Sequence, residues 1–323
     1  MQYPELCSWI LFKKQPDGMY SVRDCSTDSE YTLGSTIAYF ARHLDGKTDP
    51  FSVLPGCPRR EVQEMLDNLN EHEFLRYGRV LDSSKGSVTY SVIMPRKFRT
   101  KSILPAIFSW FTLLLWLPIL LYGVYMFCCH LPDIDNGSVL LGQWIGILFG
   151  AILHEGSHAA TALGHGARVF EAGVFLHEYM PGCYVMIDDA PVHGKFRKVH
   201  ILLSGVLMNF LLTGLGLLLS VYYPAQSGFF FGFGLNNLLL GLFNLSFSDG
   251  LDGMAAMGKL LGTDSVVSVA KYTLKNREEC QKLFRAGPHG IAEWLTCVLI
   301  VALQGITPCI YFMFLLEAIE CFF

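Results

Sequence analysis

The sequence predicts a polytopic α-helical membrane protein of about five spans, with a small cytoplasmic α+β domain of winged-helix-like type at its N-terminus. Three observations predict it. Of 323 residues, 52% are hydrophobic and 16% charged, where soluble domains average about 25% charged. The charge is concentrated at one end: residues 1–102 hold 14 Lys/Arg and 13 Asp/Glu, against 10 and 15 in residues 103–323. Finally, five stretches have close to the 20 apolar residues that a bilayer requires, and Lys and Arg are kept to one side of them.

Residues 1–94 read as a soluble domain. Residues 9–13 and 19–24 are strands joined by Gln15-Pro16-Asp17-Gly18, a turn sequence. Residues 35–45 are a helix with Ile37, Phe40, Ala41 and Leu44 on one face, closed by Gly46. Thr48-Asp49-Pro50 starts another, with proline at the first helical position. Residues 58–69 form an amphipathic helix through Val62, Met65, Leu66 and Leu69, and residues 74–81 and 87–93 form a small ribbon. The first residues lack the basic start and long apolar region of a signal peptide. Residues 95–102 are a basic linker.

The membrane domain is residues 103–323. Its spans are residues 103–127, 139–163, 201–222, 228–245 and 291–316, the last with Pro308 as a kink. With the N-terminus in the cytoplasm, the outer loops are residues 128–138 and 223–227, and neither contains Lys or Arg. That asymmetry orients the chain. The loop after the second span holds two β-prone runs, residues 167–175 and 184–187, about Met180-Pro181-Gly182. Residues 265–274 make an amphipathic helix fit to lie on the membrane surface. The ten cysteines contain no CxxC pair and imply no disulfide or zinc framework. A net charge of −4 without a basic tract argues against a nucleic-acid partner, as does the net +1 of residues 1–102 for a DNA-binding winged helix.

The second span contains His154-Glu155-Gly156-Ser157-His158, an HExxH pattern. Positions i and i+4 share a helix face, so both imidazoles can meet one zinc ion, with Glu155 placed to handle the proton of a water. Ionisable groups in a membrane span are costly and point to function. Ten residues of helix separate His154 from the cytoplasmic end of the span, which is about 15 Å. A catalytic zinc has three protein ligands and an open position. His165, Glu171 and Glu178 are candidates for the third. Asp249 and Asp252, both in Asp-Gly pairs at the end of the fourth span, are better ones.

From here the chain resembles the site-2 protease family of intramembrane zinc metalloproteases, over about residues 140–260. Their pattern is a buried HExxH helix, an A-G-P-x-x-N element and an N-x-x-P-x-P-x-L-D-G element. The chain offers Ser204-Gly205-Val206-Leu207-Met208-Asn209 for the second, and Asn244 through Leu251-Asp252-Gly253 for the third. Val206 replaces the usual proline, and the prolines before Leu251 are absent. The resemblance implies zinc held by His154, His158 and Asp252, with Glu155 as general base and Asn244 or Asn209 hydrogen-bonding the substrate or the oxyanion. It also implies a loop sheet dipping into the membrane, whose edge takes an extended substrate as an added strand. In the first domain, Tyr20 with Tyr31-Thr32-Leu33, Leu44-Asp45-Gly46-Lys47-Thr48 and Glu73-Phe74-Leu75 resemble the PQQ-peptide chaperone type of domain. That likeness implies recognition of the leader of a ribosomally made peptide. The expected activity is therefore a membrane-embedded zinc endopeptidase acting on a membrane-associated protein or a precursor peptide. The alternative is a non-proteolytic peptide exporter or immunity protein that keeps the scaffold.

Overall fold

The computed structural model describes residues 3–27, 29–78, 80–82, 87–93, 103–134, 136–177, 180–248, 250–263 and 265–320. The elements up to the linker are β1 (Pro4–Leu6), β2 (Ile10–Lys14), β3 (Tyr20–Asp24), β4 (Ser29–Leu33), α1 (Ser35–Arg42), α2 (Pro50–Val53), α3 (Arg59–Glu71), β5 (Leu75–Tyr77), β6 (Val80–Asp82) and β7 (Ser87–Ile93). Then come α4 (Ile103–Cys129), α5 (Asn136–His165), β8 (Arg168–His177), β9 (Met180–Asp188), α6 (Lys195–Tyr222), α7 (Ser227–Asn244), α8 (Asp252–Leu261), α9 (Val266–Lys275), α10 (Arg277–Arg285) and α11 (Pro288–Glu320). The chain is thus a β-rich N-terminal region followed mostly by helices. It packs as two units: Met1–Ile103 with Ala162–Pro191, and Leu104–Thr161 with Val192–Phe323.

In the first unit, Gly18 at φ 83° closes the β2–β3 turn, and the Asp17 carboxylate accepts from the Met19 amide at 3.0 Å. β2, β3 and β4 form an antiparallel three-stranded sheet. Asp49 caps α2, with Pro50 at its first position, as the local sequence demands. The helix expected over residues 35–45 ends at Arg42. The strand expected over residues 74–81 is broken into β5 and β6, because Gly78 takes φ 67° between them. Trp9, Val22, Phe40, Leu44, Val62, Leu69 and Phe74 form the core.

The second sheet has six antiparallel strands in the order β1-β5-β6-β7-β8-β9. The hairpin β8–β9, read from sequence as part of the loop between spans, therefore continues the N-terminal ribbon. Its base is tied by Asp188, which lies 3.6 Å from Arg23 and 3.5 Å from Arg168. A buried polar knot sits along the β7–β8 seam. Arg76 pairs with Glu171 at 2.5 Å, and the other Glu171 oxygen accepts from Ser91 at 2.8 Å and Tyr184 at 2.7 Å. The Arg76 guanidinium also lies 5.9 Å over the Trp9 ring. Burial pushes the Tyr184 phenol above its ordinary range; the Ser91 hydroxyl opposes this and Glu171 adds to it.

In the second unit, among the described residues, three helices are long and apolar enough to cross a membrane: α4, α5 and α6. α7 spans 18 residues, about 27 Å at 1.5 Å per residue, a little short of a hydrocarbon core of ~30 Å. α11 runs through Pro308 as one helix. α6 is central: 67% of its apolar window is buried, against 11% for α4. Close approach rests on glycines. A Cβ on Gly142 would stand 2.0 Å from the Phe229 carbonyl oxygen, and one on Gly216 would stand 2.7 Å from the Gly234 Cα. Small residues allow such backbone contact between apolar helices, where lipid removes the hydrophobic drive.

Candidate metal centre

His154 and His158 lie one turn apart on α5, and 11 residues of helix, about 16 Å, separate His154 from the end at His165. Both are nearly enclosed, at 5% and 6% exposure. Asp252 reaches them from the first position of α8, with Leu251 as the residue before the helix. Its Oδ2 lies 2.9 Å from His154 Nε2 and 3.1 Å from His158 Nε2, and the two Nε2 atoms are 3.1 Å apart. This is a group of two histidines and a carboxylate able to hold a metal ion.

The surroundings set each ligand. His158 Nδ1 faces the Ile201 carbonyl at 2.7 Å. A proton there donates to that carbonyl and leaves the Nε2 lone pair free for a cation. The Ser157 hydroxyl donates to the Ser204 carbonyl at 3.0 Å, binding α5 to α6 at the same level. Gly205 fills the gap beside the imidazoles, since a Cβ there would lie 2.5 Å from both Nε2 atoms. Gly253 plays a similar part for Asp252: its Cβ would stand 2.8 Å from the Leu245 Cα, so glycine lets the start of α8 close on the end of α7. Gly250, at φ 88°, makes the turn between those helices.

The donor set fits a metal. Ligand atoms at about 2.0–2.1 Å from a four-coordinate cation stand about 3.3 Å from one another, and these three stand 2.9–3.1 Å apart. Among the described residues, the buried Nδ1 of His154 has no hydrogen-bond partner. Two imidazole nitrogens and one carboxylate oxygen thus converge on a single point, the arrangement of lone pairs that a cation accepts.

Glu155 is half-buried beside the pair. The other sequence candidates fall elsewhere. Glu171 is 1% exposed and committed to Arg76, Ser91 and Tyr184, so it is no ligand. His165, at the end of α5, is outside the group. Asp249 and Glu178 lie outside the described residues. Asn244 donates its amide to the Leu240 carbonyl at 3.1 Å, within its own helix. Asn209 is fully buried on α6, and among the described residues neither of its amide atoms has a hydrogen-bond partner. The sequence did not single out the Ile201 carbonyl or Ser157, and backbone acceptors leave no trace in residue type. Searches against protein-family models, curated proteins and solved structures found no match to the chain.

Proposed function

We propose that this protein is a membrane-embedded zinc endopeptidase of site-2 protease type. It hydrolyses a peptide bond of a membrane-associated protein or of a ribosomally made precursor. One observation carries the reading: His154 and Asp252, 98 residues apart in sequence, meet at 2.9 Å on the helix that also bears His158 and Glu155. Zinc held by His154, His158 and Asp252 would supply polarisation of the scissile carbonyl and a water of lowered pKa. Glu155 accepts the proton of the attacking water and returns it to the leaving amine. Asn244 has a second amide hydrogen beyond the one given to Leu240, and this supports a role in binding the oxyanion. Among the described residues β9 pairs with β8 only, and its other edge supports docking of an extended substrate as an added strand.

The wider architecture follows the same reading. α7 and α11 join α4, α5 and α6 as spans, five in all. The absence of Lys and Arg from residues 128–138 and 223–227 supports a cytoplasmic N-terminus. The β2–β3–β4 sheet followed by α1, α2 and α3 supports a winged-helix-like domain that takes a leader peptide. The test uses purified protein in detergent. Wild type holds one zinc per chain and cleaves an unfolded protein such as casein in a chelator-sensitive way. Glu155→Gln keeps the zinc and loses cleavage, because an amide is no base. Cleavage by Glu155→Gln at the wild-type rate would sink the mechanism. A metal-free wild type would point to the exporter or immunity class instead.

A further inference from the structure

The six-stranded sheet has two unlike faces. One carries Arg76, Ser91, Glu171 and Tyr184 in the polar knot beside the N-terminal core. The other carries Tyr77, Val80, Val88, Tyr90, Val174 and Leu176, each between 39% and 50% exposed. These six are contiguous. The register sets Tyr77 opposite Val80, Val80 opposite Tyr90 and Tyr90 opposite Val174, so one apolar row crosses four strands. Asp82 opposite Val88 and Val88 opposite Leu176 set a second row beside it, apolar at its β7 and β8 positions and acidic at its β6 position. Side chains alternate along a strand, so the set shares one side of the sheet. Single exposed apolar residues need no explanation, whereas a joined patch marks an interaction surface.

We propose that this face, N-terminal ribbon β6–β7 included, docks on the surface of the lipid bilayer. Covalent connection is the first argument. α5 ends at His165 and β8 begins at Arg168; β9 ends at Asp188 and α6 begins at Lys195; β7 ends at Ile93 and α4 begins at Ile103. A connection extends at most about 3.3–3.6 Å per residue, so β8 is tethered within about 11 Å of the end of α5, and β7 and β9 flank β8 in the sheet. Side-chain chemistry is the second. The six residues include no charge, and two are tyrosines, whose apolar ring and polar hydroxyl suit the headgroup boundary. Charge is the third. Arg96, Lys97, Arg99 and Lys101 follow β7 directly, with no acidic residue among positions 94–102, and such a basic segment attracts anionic headgroups. The N-terminal domain is then seated on the membrane by its own sheet rather than hung from a free linker. This inference rests on α4, α5 and α6 crossing a membrane and is independent of zinc and of proteolysis.

The experiment places the photo-crosslinker p-benzoylphenylalanine at Tyr90, at Val174, or at Gln63 on the exposed side of α3. The full chain is reconstituted in vesicles of phosphatidylcholine and phosphatidylglycerol that contain a tagged phospholipid. Tyr90 and Val174 should both capture lipid, several-fold more than Gln63. All three positions are exposed, so the crosslinker disturbs no core, and limited proteolysis checks the fold of each variant. Lipid capture at Val174 with only the Gln63 level at Tyr90 would lift the ribbon off the bilayer and overturn the inference. Capture of a second copy, or of the chain's own helices, at Tyr90 would overturn it in favour of a protein occupant.

Discussion

Replacing Gly205 with alanine tests the metal centre without touching a ligand. The added Cβ would lie 2.5 Å from Nε2 of both His154 and His158, about 1 Å closer than ordinary non-bonded contact. The helix-packed Gly205 backbone has little freedom to retreat, so the rings must turn. Turning a side chain ~30° from its rotamer costs about 0.5–1.5 kcal/mol. Two rings give about 1–3 kcal/mol, the usual range for an overpacked core. At about 1.4 kcal/mol per tenfold, metal affinity should fall about 5- to 150-fold. Gly156→Ala is the matched control: a Cβ there meets nothing within 4 Å, and alanine improves helix propensity by about 1 kcal/mol. Purified variants would be titrated with zinc against a competing chelator, with thermal unfolding followed alongside. Gly205→Ala binding zinc as wild type does, or Gly156→Ala weakening it as much, would refute the reasoning.

Asp252→Asn should lose zinc and all activity, while Asp249→Asn keeps zinc; metal analysis of the two proteins checks this, and the reverse result would move the ligand to Asp249. Arg76→Met strips Glu171 of its ion-pair partner at 1% exposure, a loss of about 3–5 kcal/mol, whereas Arg76→Met with Glu171→Gln recovers much of it. Hydrogen exchange of the β7 and β8 amides reads both, and unchanged exchange in the single variant would contradict the buried pair. In a background without the native cysteines, a cysteine at Gly137 should react only with reagent added outside and one at Ala190 only from inside. Labelling of Gly137 from the cytoplasm would reverse the orientation.

Local features of the fold were legible. The β2–β3 turn at Gly18 and the start of α2 at Asp49-Pro50 follow from residues within a few positions of one another. The pairing of β7 with β8 was not, since Tyr90 and Val174 are neighbours only after 83 intervening residues have been laid down elsewhere. Nothing in a local pattern names a strand's partner. Glu171 shows the consequence. As a carboxylate just outside an HExxH helix it read as a possible ligand, and it is instead the acceptor at the centre of the β7–β8 seam, held by Arg76. The same holds for α7, where glycines and paired asparagines made the membrane signal weak and the helix stops at 18 residues.

The metal centre divides along a different line. His154 and His158 were legible because they add polar groups to an apolar helix, and each such addition needs a reason in a membrane. Asp252 was legible from the residues only as one of a pair with Asp249, since Asp-Gly is also an ordinary turn, and resemblance chose between them; its place at the first position of α8, against both imidazoles, is a tertiary fact. Gly205 and Gly253 act by having no side chain, the first by leaving room for two rings and the second by letting α8 close on α7. A glycine that makes room for a ligand looks, in sequence, like the glycines that merely let helices touch, such as Gly142 and Gly216. The residues that put charge into the site can be read one by one, and those that remove volume from it can be told apart only once their neighbours are known.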